Sequence, residues 1–534
     1  MSHDYVIVGA GTAGCVLANR LSADARSSVL LLEAGPTDAY PWIHIPIGYA
    51  KTMFHPRFNW RFYTEPEPLM NGRKVYWPRG KTLGGSSSIN GLISIRGQPH
   101  DYDRWAAAGN PGWSFADVLP HFKRLEHAED GDSRLHGRDG PVWCSRIRRK
   151  HELIEAVIAA GSELGLPRND DFNGTTQEGV GYYHLATRRG WRCSGATAYL
   201  KPARGRANLR VETDAQATRV TFQGKRATGV LFRQQGQERS AAARKAVILC
   251  AGALQTPQLL QLSGVGPAPL LRSLSIPIVH ELPGVGENLQ DHLQARVIFQ
   301  CSKPITTNDD LMSWWRTLKI GLDYVFTRGG PMAVGINQGG IFARVKPDSA
   351  TPDVQFHVAT LSSDMAGSPT HPFSGFTFSV CQLRPESRGF VRIKSADPLE
   401  PPAMQPNYLS IPEDCATLTS GIRLARRLAA TRALAPYVKA EYRPGPMAQS
   451  DAELLEFVRN TGGTIFHPAG TCKMGDIARD PMAVVDARLR VHGMRSLRVV
   501  DCSIMPTLTS GNTNVPVVMI AEKAADMILD DEQD

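Results

Sequence analysis

Two short segments near the C-terminal end carry residues suited to proton chemistry: His467-Pro468-Ala469-Gly470-Thr471-Cys472 and, 45 residues beyond His467, Asn512-Thr513-Asn514-Val515-Pro516. An imidazole titrates near pH 6.5, so a histidine is the side chain best matched to accept a proton from a hydroxyl at neutral pH. A neutral amide such as Asn512 can donate to an oxygen that gains charge without competing for that proton. The opposite end offers phosphate chemistry in Gly9-Ala10-Gly11-Thr12-Ala13-Gly14. Gly9 permits a tight turn, Gly11 lets a pyrophosphate approach the backbone, and Gly14 lets helix and strand pack closely. Glu33, 19 residues past Gly14, is placed to accept hydrogen bonds from an adenosine ribose. Two more glycine-rich stretches, residues 80–91 and 252–266, can bring backbone amides against a ligand.

The elements that must position these groups can be read from periodicity. Tyr5–Val8 is an apolar strand, Val16, Leu17, Ala18 and Leu21 follow helical spacing, and Val29–Leu32 is a second strand ending at Glu33, which completes a βαβ unit. A further apolar strand, Ala246–Cys250, runs into Ala251-Gly252, so the dinucleotide domain is expected to be discontinuous in sequence. Residues 252–266 read as a turn, a short helix and a glycine stop. Residues 37–80, rich in proline and aromatics, predict a long excursion over the surface of the kind that forms lids. Strands at 354–358, 376–380 and 389–393 and the helix after them predict an α+β domain. That helix is expected to start from a capping box, Ser410 with Glu413, and to bury Leu418, Ile422, Ala425 and Leu428. Its Arg423, Arg426 and Arg427, like the run Arg146, Arg148, Arg149, Lys150, are read as ordinary solvated surface. Asn514 is expected to cap a last helix that has Pro516 in its first turn and a buried stripe of Val518, Ala521, Ala525 and Ile528.

The chain has 534 residues, 42% hydrophobic and 21% charged, which excludes disorder and fibre and predicts roughly two to four domains. Sixty basic against 51 acidic residues give a formal charge of +9. No aromatic platform or helix-turn-helix pattern accompanies the basic residues, so no nucleic-acid partner is expected. No apolar run approaches the roughly 20 residues of a spanning helix, and no secretory signal is read before Tyr5. Nine dispersed cysteines, an odd number without C-x-x-C spacing, predict reduced thiols, no metal site and a cytoplasmic location.

With the fingerprint, the segments 80–91 and 252–266, the turn Pro283-Gly284-Val285-Gly286-Glu287-Asn288-Leu289-Gln290-Asp291-His292 and the two C-terminal segments in this order, the chain resembles the glucose-methanol-choline (GMC) family of FAD-dependent oxidoreductases. The likeness covers nearly the whole length and is greatest to choline-dehydrogenase-like alcohol dehydrogenases and oxidases. It implies an α/β fold: a discontinuous Rossmann-like FAD domain with a mostly parallel sheet (1–160, 190–295, 455–534) and an α+β substrate domain with an antiparallel sheet (161–189, 296–454). It implies oxidation of a primary alcohol to the aldehyde, with His467 as base and Asn512 holding the alcohol oxygen. The FAD contacts it implies are Gly9, Gly11, Thr12, Ala13, Gly14, Glu33 and Ala34; Thr82, Gly84, Gly85, Asn90, Gly91, Leu92 and Ile93; Ala217, Ala251 and Gly252; Asp501 and Cys502; and Asn514, Val515 and Pro516. The start of the last helix is expected against the flavin pyrimidine ring, where its positive dipole favours the anionic reduced flavin.

Departures from the family refine these expectations. Ile89 stands where some choline-oxidising members attach FAD through a histidine, so FAD is expected to be non-covalent. Gln338 stands where choline dehydrogenases carry a glutamate, which favours a neutral aliphatic or aromatic alcohol, and Phe466 matches a position lining the substrate pocket. His292 belongs to a turn that is mainly structural in the family and is read as a structural histidine. Oxygen and a quinone or other redox carrier stay open as electron acceptors, as does weak peripheral membrane association through the helix carrying Arg423–Arg427. The alternatives are choline dehydrogenase activity and a non-redox hydroxynitrile lyase on the same scaffold.

Overall fold

The computed structural model describes residues 2–365 and 367–531. β1 (Ser2–Val8), α1 (Thr12–Leu21) and β2 (Val29–Leu32) form the βαβ unit. All of β2 and Tyr5–Val8 of β1 are buried, so both strands read as unbroken apolar runs, as parallel strands covered on both faces do. A long intervening stretch contributes β3 (Gly179–Tyr182). Then come β4 (Leu209–Glu212), β5 (Ala215–Gln223), β6 (Arg226–Gln234), β7 (Gln237–Leu249) and α2 (Gly252–Leu262). Gly264, at φ 82°, supplies the left-handed turn that stops α2.

The second half contains β8 (Leu293–Cys301), α3 (Thr307–Met312), α4 (Trp314–Thr327), β9 (Asn337–Ala343), β10 (Val354–Ala359), β11 (Gly375–Gln382), α5 (Pro412–Ala429) and β12 (Val438–Arg443). It closes with β13 (Leu497–Val499) and α6 (Asn514–Asp530). The first sheet has the order β4-β2-β1-β7-β6-β5 with β13 on β7; pairings are parallel except in the β5-β6-β7 meander. The second sheet, β12-β8-β11-β10-β9-β3, is antiparallel throughout. Each sheet organises its own hydrophobic core. The chain is therefore an α/β protein built as a Rossmann-like fold plus a second, antiparallel α+β unit.

Several local expectations are corrected. Residues 37–80 are not a surface excursion, because Phe62, Met70, Val75 and Trp77 are buried in the second core; aromatic area of this size is favourable only when packed. The capping box at α5 does not form. Ile411 precedes the helix without a side-chain cap, so Ser410 lies one residue before the cap position and Glu413 is only the second helical residue. Asn514 is the first helical residue of α6 and not its cap, its Oδ1 accepting from Thr12 Oγ1 at 2.9 Å. Phe390–Arg392 pairs with Ala403–Gln405 in a separate ribbon and not in the second sheet. On α5, Arg423 pairs with Asp451 and Arg426 with Glu441, both at 2.8 Å, which leaves little free charge for a membrane.

Candidate active site

The fingerprint folds as its glycines require. A Cβ on Gly14 would stand 1.9 Å from the Gly9 carbonyl oxygen, so only glycine lets α1 lie this close to the β1 turn, where Gly9 has φ 98°. Likewise, a Cβ on Gly85 would meet Gly11 Cα at 2.6 Å, so the 80–91 segment rests directly on the fingerprint. Neither α1 nor α6 has a side-chain cap at its start. Both therefore present unpaired N–H groups and positive dipole ends, and Thr12, Ala13 and Asn514 stand on the wall of one cavity of about 880 Å³.

Glu33, at the end of β2, accepts from the Ala10 amide at 2.9 Å and the Gly35 amide at 2.8 Å. Burial pushes its carboxyl up to about 7 despite those two donors. A carboxylate offers about four acceptor sites, so capacity remains for a ligand hydroxyl in the cavity that Glu33 lines. Asp501, just past β13, accepts from the Gly252 amide at 2.8 Å and from Thr256 Oγ1 at 2.6 Å, which pins the start of α2. A buried acid at the β2 end, two uncapped helix starts and close glycine backbone together fit FAD.

His467 lies in the same cavity. Phe466 before it adopts φ 72°, a strained conformation for an aromatic residue. The Phe466 amide donates to Thr464 Oγ1 at 2.6 Å, the His467 amide donates to Asp291 Oδ1 at 2.7 Å, and Asp291 Oδ2 accepts from Tyr408 and Thr464. Burial raises the Asp291 carboxyl to about 6.

The side-chain contacts of His467 determine which ring nitrogen is free. His292 Nε2 lies 3.0 Å from the Leu383 carbonyl oxygen, a pure acceptor, so that nitrogen carries hydrogen. His292 Nδ1 is then bare and must accept from His467 Nδ1, 3.0 Å away. His467 Nε2 is consequently left with its lone pair, facing the Asn512 amide nitrogen at 3.4 Å. Asn512 is itself oriented, because its Oδ1 accepts from Gln355 Nε2 at 3.1 Å. Desolvation, then the neighbouring His292, His357 and Arg79, hold His467 well below its ordinary value, so the ring is neutral at pH 7. Burial likewise lowers His292 and His357 to about 4. A hydroxyl between Asn512 Nδ2 and His467 Nε2 would accept from the first and donate to the second.

Most of the residues expected at the site share this cavity wall. Gly9, Gly11, Thr12, Ala13, Glu33 and Ala34 line it with Gly85, Asn90, Gly91, Leu92 and Ile93. Ala217, Ala251, Gly252, Asp501, Cys502 and Asn514 continue it, and Gln338, Phe466, His467 and Asn512 complete the set. Five stand behind the wall: Gly14 and Gly84 are packing positions, Thr82 Oγ1 donates to the Pro36 carbonyl at 2.9 Å, and Val515 and Pro516 are buried within the first turn of α6. Sequence reasoning missed the Asp291 clamp, the His292 contact, Gln355, His357 and Arg296. A signal existed in the polar pairs Gln294/Arg296 and Gln355/His357, each at i, i+2 on one face of a strand. Arg296 lines the cavity with its Nε unpartnered, and no carboxylate lies within ion-pair distance among the described residues. Burial lowers it to about 10, so it is cationic at pH 7.

Comparison with known proteins agrees with this geometry. The two GMC oxidoreductase family models match residues 3–294 and 385–521. The chain is 43% identical to an alcohol dehydrogenase [acceptor] of Pseudomonas putida over 99% of its length and 96% of the relative's. It is 45% identical to an oxygen-dependent choline dehydrogenase of Serratia proteamaculans, again over 99% and 96%. Among solved structures, pyridoxine 4-oxidase from Mesorbium loti superposes with a TM-score of 0.88 at 31% identity, covering 98% of both chains. Formate oxidase superposes with a TM-score of 0.93 at 26% identity, covering 100% of this chain and 99% of that one. By its two matched family models, its full-length relatives and the fold that carries its cavity, the chain belongs to the GMC oxidoreductases, FAD-dependent enzymes that oxidise CH–OH groups.

Proposed function

We propose that the protein oxidises a primary alcohol to the aldehyde, with His467 Nε2 accepting the hydroxyl proton while Asn512 Nδ2 donates to the oxygen. The observation that carries this reading is the bare, neutral Nε2 of His467 facing an oriented amide donor in the cavity. FAD, when bound, supplies the acceptor for the hydride that leaves the carbon as the O–H bond breaks. The uncapped start of α1 would hold its pyrophosphate, Glu33 its ribose, and the start of α6 the pyrimidine end of its flavin. Ile89, an alkyl side chain on the wall, offers no nucleophile, so the cofactor is held non-covalently. Residues 1–160, 190–295 and 455–534 serve as cofactor domain and 161–189 with 296–454 as substrate domain. Anaerobic bleaching of the bound flavin by a primary alcohol tests the proposal; cleavage of a cyanohydrin with the flavin still oxidised would overturn it in favour of a lyase.

The substrate is a neutral aliphatic or aromatic alcohol. Arg296 supports this, since an unpaired guanidinium in the cavity repels a quaternary ammonium, and Gln338 offers it no carboxylate. Identity to choline dehydrogenases favours choline as the second reading. Arg296→Glu separates the two: it should raise kcat/KM for choline relative to benzyl alcohol by about tenfold or more, equivalent to about 1.4 kcal/mol. No change in that ratio would remove Arg296 from specificity.

His292 acts on the reaction through His467. His292→Leu would leave the His467 Nδ1–H buried without an acceptor, at a cost of about 1–3 kcal/mol, and would release the tautomer that keeps Nε2 free. The expected result is a fall of about tenfold in kcat with an altered acid limb of the pH profile and unchanged FAD content; a stability change alone, with the wild-type pH profile, would make it structural only.

A further inference from the structure

We propose that α4, with α3 and the turn at Arg188–Trp191, forms a docking face for an anionic phospholipid surface. Of the seventeen large hydrophobic side chains exposed among the described residues, eight fall between Leu311 and Phe326. Trp314 and Trp315 are each 64% exposed and Phe326 82%, and with Leu318, Leu322 and Val325 they form a stripe at helical spacing. A docked surface helix turns such a stripe inward, yet only Tyr324 of α4 is buried. Patches of this kind mark interaction sites, whereas isolated exposed apolar residues do not.

The charge around the stripe selects the partner. Arg316, Lys319 and Arg328 are exposed on α4 and at its end. The Tyr324 hydroxyl donates to the Gly190 carbonyl at 2.9 Å, which brings exposed Arg188, Arg189 and Trp191 beside the helix, with the Arg328 guanidinium 4.5 Å from the Trp191 ring centroid. Arg149 takes up the one acid of α4, Asp323, and so borders this face, Arg316 lies 3.7 Å from Asp310 of α3, and Arg146 and Arg148 pair with Asp130 and Glu129, which leaves Lys319, Arg328, Arg188 and Arg189 as the exposed cations around the stripe. Tryptophan, leucine and phenylalanine rimmed by arginine and lysine is the composition of a helix lying in a membrane interface. A second copy of the chain would set this basic face against itself across a two-fold axis, which like-charge repulsion opposes. No helix among the described residues is long and apolar enough to cross a membrane, so the contact is peripheral.

The face also contains an opening of the active-site cavity, because Thr307, Asp310, Leu311, Thr317 and Ile320 line the cavity from beneath it. Docking places that opening at the headgroups, where a lipid-dissolved alcohol or electron acceptor enters without crossing bulk water.

Co-sedimentation of the FAD-loaded enzyme with vesicles tests the proposal. Wild type should pellet with phosphatidylglycerol–phosphatidylcholine vesicles, less at high salt and less with pure phosphatidylcholine. The triple variant Trp315→Asp, Leu322→Asp, Phe326→Asp should bind about tenfold more weakly or worse, with flavin content and melting temperature unchanged. Failure of wild type to pellet, equal binding by the variant, or a wild-type dimer that the variant dissolves without any vesicle binding would each overturn it.

Discussion

Replacing His467 with alanine should lower kcat for alcohol oxidation by about 10²–10⁴-fold, the range for removal of a positioned general base, while FAD content stays at the wild-type level. Retention follows because the His467 side chain faces Asn512 and His292, and neither the uncapped helix starts nor Glu33 depends on it. The wild-type pH profile supplies a second readout. Desolvation and the neighbouring His292, His357 and Arg79 hold the imidazole well below its ordinary value. The base is therefore unprotonated throughout the neutral range, and protonation removes activity only as pH falls below the usual histidine range near 6.5. The expected curve for kcat/KM is level through pH 7 with its acid limb displaced downward, and the limb should vanish in His467→Ala. A variant within a few-fold of wild type, or an unchanged acid limb, would remove His467 from the chemistry.

Asn512→Ala should lower kcat by about 10²–10³-fold, the effect of deleting one donor to a developing oxyanion. Its amide is aimed by a group outside the reacting pair: Gln355 Nε2 donates one hydrogen to the Tyr183 hydroxyl oxygen at 2.9 Å and the other to Asn512 Oδ1 at 3.1 Å. The Asn512 Nδ2 therefore points toward the base and not away from it. Because charge appears on the oxygen only as the proton departs, the loss should fall on kcat and leave KM within a few-fold. If proton acceptance and oxygen stabilisation act as one unit, the His467→Ala, Asn512→Ala double variant should be much less impaired than the product of the two single effects. Multiplicative losses, or a loss confined to KM, would show that the two residues do not share a reacting atom.

The parts that sequence reading recovered were those whose cause is local. The βαβ unit was visible because buried parallel strands are continuous apolar runs, and the fingerprint because glycine is demanded by close approaches as short as the 1.9 Å between a Gly14 Cβ and the Gly9 oxygen. Features set by competition between distant groups were not legible. Ser410 and Glu413 have capping-box spacing, but the helix starts at Pro412 with Ile411 in the cap position, so Ser410 stands one residue too early, and its amide donates to Ser387 Oγ at 3.2 Å. The aromatics of 37–80 look like a surface lid until the second core, assembled from strands more than a hundred residues away, buries them. His292 looked structural, and it is indeed hydrogen-bonded and buried; only the fold reveals that its bonds leave His467 Nε2 free.

Residue types at fixed spacing were enough for the family and for FAD, and they singled out His467 and Asn512 as the side chains proposed to meet the substrate. Folding adds the hydrogen-bond direction at His467, the cationic lining contributed by Arg296 and the exposed apolar face of α4. The physical reason is the same in each case: hydrogen-bond direction, desolvation and exposure belong to groups brought together in space, and no spacing along the chain encodes them.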